Sequence, residues 1–309
     1  MIKSNRRRAT GNGQRATGNF RIRTLPVARC PLPVASLLFV FACGSGKPAG
    51  PTTARIIVPQ RAPTAGDALL ENLPPGPDAI AELDLARMRK NPHLGEVLAA
   101  VPRSITHGFD PLRDVDVAVA AVYRLAADEA ATLIILRGEG LQKATLIDAT
   151  RLDDKTVALG PADLRAQARS ENTREPGPEM MALRAAAMPS RADGAVLRIA
   201  ARLDDAARIG AAGRLGVDEV PATLSVWLDV ADDAALVAVL GGDDPANAKR
   251  LERLVEHGRE RLAGLVPPEI LQDLRVETTG TVAKVIWVVK PRRLAAWAAE
   301  LKRKFGGDI

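Results

Sequence analysis

After an N-terminal stretch, the sequence runs twice through the same succession of strand-like and helix-like segments, and this repetition constrains the fold most. The apolar segments 79–83 and 195–201 predict the first strand of each half. Asp84 and Asp204 follow these strands as N-cap residues of a helix, and the first helix is expected to continue to Val101. Recurrence over this length predicts two similar structural units.

Each predicted strand and helix is followed by two β-hairpins with a helix between them, and then by a closing helix. The predicted hairpins pair 116–123 with 131–136, 144–149 with 156–159, 223–230 with 235–240, and 274–277 with 281–289. Pro161 and Pro291 mark the two closing helices, because proline suits the first turn of a helix. The second closing helix has one apolar stripe, formed by Leu294, Trp297, Leu301 and Phe305.

The order β-α-β-β-α-β-β-α, occurring twice, predicts an α+β fold of mostly antiparallel sheets with helices packed on one face. We expect the halves to span residues 67–170 and 194–309, joined by a connecting helix within 171–193. Trp227 shares the polar side of its predicted strand with Ser225. It is therefore the aromatic side chain expected to be exposed.

Residues 1–42 have the features of a signal peptide. They hold eight of the 43 basic side chains and none of the 37 acidic ones, and an apolar run occupies 31–42. This run is shorter than the roughly 20 residues that a membrane-spanning helix needs. A near-repeat of Arg-Ala-Thr-Gly-Asn at 8–12 and 15–19 favours a true start codon downstream of Met1.

The sequence VFAC at 40–43 resembles the lipobox of bacterial lipoproteins, with an aliphatic residue first and a small residue before the obligatory cysteine. Phe41 departs from the small residue usual at its position. The resemblance implies cleavage in front of Cys43 and lipid attachment to that cysteine. Residues 43–66, rich in Gly, Pro and Thr, would then be a disordered tether. Secretion after cleavage behind Ala42, or an uncleaved or cytoplasmic chain, are the alternatives.

No motif in the sequence indicates a catalytic, cofactor or metal site. The three histidines, His93, His107 and His257, lack a ligand spacing, and His107 with Asp110 has no anchored nucleophile near it. The paired acidic residues fall where turns and helix caps are expected. These pairs are Asp153-Asp154, Asp204-Asp205, Asp232-Asp233 and Asp243-Asp244. We therefore predict no cofactor, no metal and no enzyme activity.

Charge argues against a nucleic-acid partner, because the acidic and basic residues beyond residue 42 nearly balance. Residues 73–98 and the Arg137-Gly138 ending of one hairpin resemble exported bacterial proteins of unknown function built from repeated α+β units. The resemblance supplies no active-site residues. The absence of a thiol beyond Cys43, the scarcity of histidine and the acidic pairs in caps favour a membrane-tethered, non-enzymatic binding or envelope-structure protein, with a protein partner in the cell envelope. A secreted hydrolase whose site has no sequence motif is the alternative.

The lipobox resemblance predicts that growth with labelled palmitate labels the protein. Cys43→Ser should abolish both the label and membrane retention, because the thiol carries the lipid. Gly44 is not the aspartate that retains lipoproteins in the inner membrane, so the outer membrane is the expected location. Label that persists in the Cys43→Ser protein contradicts the lipid assignment.

Overall fold

Ten strands of the described residues pair into one antiparallel sheet. The structure is a computed structural model, and it describes residues 64–103, 109–126, 129–144, 148–170, 178–187, 194–215, 220–231, 233–263 and 266–305. The strands are β1 Ala79–Asp84, β2 Val117–Ala126, β3 Glu129–Arg137, β4 Ala149–Asp153, β5 Thr156–Leu159, β6 Ala195–Arg202, β7 Thr223–Asp229, β8 Ala234–Gly241, β9 Leu274–Thr279 and β10 Val282–Val289.

Helices precede, connect and follow these strands in both halves. They are α1 Asp67–Leu70, α2 Leu85–Lys90, α3 Pro92–Ala100, α4 Pro111–Asp114, α5 Ala162–Ser170, α6 Pro178–Ala187, α7 Asp205–Leu215, α8 Pro245–Leu262, α9 Pro268–Leu271 and α10 Pro291–Phe305. A 3-10 turn, Glu139–Lys143, stands in the first half where α8 stands in the second. The α+β class is thereby confirmed.

The two halves have the same strand order. Outward from the middle of the sheet, the first half runs β1, β2, β3, β5, β4, and the second runs β6, β7, β8, β10, β9. The central strands β1 and β6 pair antiparallel, with Ile80 opposite Ala200. The halves are thus related by an approximate two-fold axis through this pair. They share one sheet instead of forming a sheet each, because each satisfies the free backbone edge of the other.

Side chains alternate between the two faces of the sheet, and helices cover parts of both. The face that carries Glu82 and Arg198, here called the ion-pair face, is covered in the first half by α1, α5 and α6. The opposite face, here called the α10 face, is covered by α2, α3, α8 and α10. The prediction that helices cover a single face of the sheet is wrong, because the closing helices α5 and α10 pack onto opposite faces.

Across the α10 face, the two halves contribute to a common core. Leu94 and Val97 of α3 belong to the same buried cluster as Leu294 and Ala298 of α10. The predicted stripe of α10 is correct at its start, since Leu294 is 4% exposed and Trp297 and Leu301 pack partly buried against the cluster. It is wrong at Phe305, which is 42% exposed because the core does not extend beneath the last turn of α10.

The predicted helix caps are confirmed. The side chains of Asp84, Asp204 and Asp244 each accept a hydrogen bond from the backbone N–H three residues ahead, at 2.8–2.9 Å. The helix expected to run from Asp84 to Val101 is, however, broken at Pro92. Proline lacks the N–H that would continue the helix, and the Asn91 side chain instead caps a new one by accepting from the N–H of Leu94 at 2.9 Å.

One hairpin strand lies later in the sequence than predicted. Of the strand predicted at 144–149, residues 145–147 lie outside the described part of the chain; the described strand is β4, Ala149–Asp153, which pairs with β5 so that Asp153 faces Thr156. A two-residue turn, Asp154-Lys155, allows this tight register, whereas the predicted loop left six residues between the strands. Short loops of this kind are the commonest hairpin connections.

A buried ion pair lies at the junction of the halves. Arg198 Nη1 on β6 donates to Glu82 Oε1 on β1 at 3.2 Å, and the two residues are 3% and 4% exposed. The same oxygen accepts from the N–H of Gly66 at 3.1 Å. A Cβ at residue 66 would lie 2.5 Å from the Glu82 side chain, so only glycine can approach this closely.

Removing one member of this pair should destabilise the protein strongly. Glu82→Ala leaves the Arg198 charge buried without its carboxylate, and we expect a loss of about 3–5 kcal/mol in the free energy of unfolding. The matched control is the double variant Glu82→Met/Arg198→Met, which removes both charges and should stay close to the parent. Urea unfolding measures both, and an equal loss in the two variants would contradict the assignment.

Candidate functional site

Of the residues that the sequence singled out for chemistry, those that the structure describes are not brought together. Cys43 and His107 lie outside the described residues. His93 is on α3, while His257 is on α8, where its Nδ1 lies 3.8 Å from Glu260 Oε2. Asp110 is used locally, because its carboxylate accepts from the N–H of Leu112 at 3.1 Å and caps α4. These placements give none of them a shared site.

The acidic pairs serve turns, caps and surface ion pairs where they are described. Asp243 pairs with Arg208, and Asp232 lies outside the described part of the chain. Partial burial of the Asp153 carboxyl opposes its ionisation. The N–H of Lys155, which donates to it at 2.8 Å, hydrogen bonds from Thr156 and the charge of Arg137 together outweigh this and lower the pKa of Asp153. That shift stabilises the β4–β5 turn.

Within the described residues, no group of three or more His, Cys, Asp or Glu side chains is placed to hold a metal ion. No helix in the same part of the chain is long and apolar enough to cross a bilayer. The described residues do contain a surface of a different kind, an apolar area on the second half of the sheet.

This surface, here called the open face, is the ion-pair face of β7, β8, β10 and β9. The register places Trp227, Val237, Ile286 and Arg275 side by side in one row across the four strands. Ser225, Val239, Lys284 and Glu277 form the neighbouring row. The apolar members of both rows are half-buried, and none belongs to or packs against a hydrophobic cluster of the described residues.

Equivalent positions in the two halves differ in how deeply their side chains are buried. Leu133 and Val239 each lie two strands outward from the central pair Ile80–Ala200, on the same face. Leu133 is 0% exposed beneath the helices of the first half, whereas Val239 is half-buried. The same sheet position is therefore a core position in one half and a surface position in the other.

The closing helices account for the difference. In the first half α5 packs Leu164 and Ala168 onto the ion-pair face. In the second half α10 packs onto the opposite face against α3. Among the described residues, no helix covers the ion-pair face of β8 and β10 as α5 covers its counterpart, and α6 packs mainly on β1, β6 and β7.

Sequence reasoning found one member of the open face and missed the others. Trp227 was expected to be exposed, and it does lie on the open face, half-buried. Val237, Val239, Ile286 and Val288 were missed, because a strand that is apolar on both sides predicts burial on both.

Comparison of the chain with protein-family models, curated proteins and solved structures gives no match. The open face is thus the surface on which a functional argument for the described residues can rest.

The two equivalent positions supply a direct test of exposure. Val239→Glu should lower the free energy of unfolding of the dilute protein by about 1 kcal/mol or less, because the carboxylate stays hydrated. Leu133→Glu places a charge in the core and should cost on the order of 4 kcal/mol or more, or prevent folding. Denaturant midpoints compare the two. Similar losses would mean that Val239 is covered.

Proposed function

We propose that this protein is an exported lipoprotein, anchored through lipid on Cys43, that binds a protein partner in the cell envelope through the open face and is not an enzyme. The observation that carries the binding role is the contrast between the two halves, in which described helices cover one apolar sheet face and none of them covers its counterpart.

The shape and chemistry of the open face favour a protein over other ligands. Small molecules bind in concave sites that enclose most of their surface, whereas the open face is one side of a sheet. Its centre is Val and Ile with a tryptophan at one side, and its charges lie toward the β9 edge. An apolar centre with charges at the margin is the usual composition of a protein interface.

The size of the open face supports the same conclusion. Four strands about 4.8 Å apart and about six residues at 3.4 Å each cover about 19 by 20 Å. An area of about 400 Å² is the size of the largest apolar patch on a typical soluble protein, and such patches are often functional.

The proposed anchor is compatible with this role. About 20 residues of chain separate Cys43 from Thr64, and a chain of this length reaches at most about 70 Å when extended. The domain could therefore engage a partner within the envelope while remaining attached to the membrane.

A photoreactive amino acid at position 288 of the full chain, expressed in cells, tests the binding role. We expect cross-linked adducts after illumination, because Val288 lies on the open face. The matched control places the same amino acid at Glu252, which is exposed on α8 at the opposite side of the sheet. Equal yields at the two positions, or none at either, contradict a partner on the open face. Repeating the experiment in the Cys43→Ser chain shows whether the contact depends on the anchor.

A further inference from the structure

We infer that the partner on the open face is a second copy of this chain, so that two open faces pack against each other in a two-fold dimer. This inference rests on the proposed binding role of the open face and adds the identity of the partner. It follows from the order of side chains in the two rows that cross β7, β8, β10 and β9.

Two identical sheets that face each other must be related by a two-fold axis lying between them, parallel to both. An axis that runs across the strands, between the two rows, lays one row of one copy over the other row of its partner. Val239 then faces Val237 of the partner subunit, and the centre of the interface is apolar. Aligned packing of this kind is the common arrangement of two stacked sheets.

The outer positions of the two rows are also complementary in this arrangement. Ser225, the smallest side chain of its row, faces Trp227 of the partner subunit, the largest of the other row. Large side chains opposite small ones allow two apolar layers to interdigitate. Lys284 faces Ile286 of the partner subunit, where its aliphatic stem can pack while its ammonium group stays near Glu277 across the strand pair.

The charged side chains on the edge strand β9 are also complementary between the two copies. Arg275 and Glu277 are exposed on β9, point to the same face, and have no ion-pair partner among the described residues. The two-fold axis places Arg275 of each copy opposite Glu277 of the partner subunit. One dimer therefore contains this ion pair twice, and a surface whose charges complement themselves is what an isologous interface requires.

The dimer should be weak in dilute solution. Two areas of about 400 Å² bury about 800 Å² in total, which is less than the roughly 1,000 Å² that a stable interface needs and fits only a transient one. Confinement of both copies to one membrane raises their effective concentration. We therefore expect association to depend on the membrane anchor.

Charge exchange tests the geometry in the intact protein. Two copies of the full chain with different tags are expressed together and the intact membranes are briefly cross-linked with formaldehyde, so that contacts made on the membrane are kept. The membranes are then solubilised, and recovery of the second copy with the first is measured. Arg275→Glu in both copies should reduce this recovery about tenfold, as should Glu277→Arg in both, because each creates two like-charge contacts. Combining an Arg275→Glu copy with a Glu277→Arg copy should restore recovery, since every contact is again between opposite charges.

The matched control is Lys249→Glu, an exposed charge reversal on α8 at the other side of the sheet, which should leave recovery unchanged. Failure of the mixed pair to recover, or absence of the second copy with the parent chain, overturns the dimer. If position 288 nevertheless cross-links to a different protein, the proposed binding role stands and only the identity of the partner is wrong. Adducts within a single chain would show that another segment of the same copy covers the open face, and would overturn both.

Discussion

The pairing of β1 with β6 is the interaction on which the rest of the structure depends. Five residue pairs join the halves along this seam, and all other strands extend outward from it in the same order on both sides. The Glu82–Arg198 ion pair fixes its register, because a slip of one strand by one residue would turn its charge toward the α10 face, away from the partner charge and against apolar helices. A buried ion pair contributes little to stability by itself, but it discriminates strongly against alternative alignments.

Pairing of β1 with β6 gives the two halves equivalent strand positions, but the helices that cover these strands are not equivalent. Both closing helices begin at the end of an outer strand, next to a proline, yet α5 covers the ion-pair face and α10 covers the opposite one. Packing of α10 against α3 uses the longer and more amphipathic helix to close the core shared by the halves. Because α10 packs against α3, no described helix covers the ion-pair face of β8 and β10 as α5 covers that of the first half. This leaves the open face.

Local patterns in the sequence predicted most of the elements, because each depends on neighbours along the chain. Asp84, Asp204 and Asp244 cap helices through hydrogen bonds that span three residues, and the alternation at 223–230 gives the strand its two faces. The break at Pro92 was also present in the sequence and was missed because the apolar periodicity continues through it. The open face could not be predicted, since the side on which α10 packs depends on contact with α3, almost 200 residues earlier. The lipid anchor at Cys43 lies outside the described residues and stays a prediction from the lipobox alone.

The contact between α3 and α10 also has a consequence for how the chain folds as it is made. Leu94 and Val97 of α3 are synthesised early, whereas Leu294 and Ala298, which cover them, come almost at the end. Until α10 is made, the part of the α3 surface that α10 covers stays exposed. Folding of the complete core has to wait for the last helix, and until then the nascent chain is at its most vulnerable to aggregation and proteolysis.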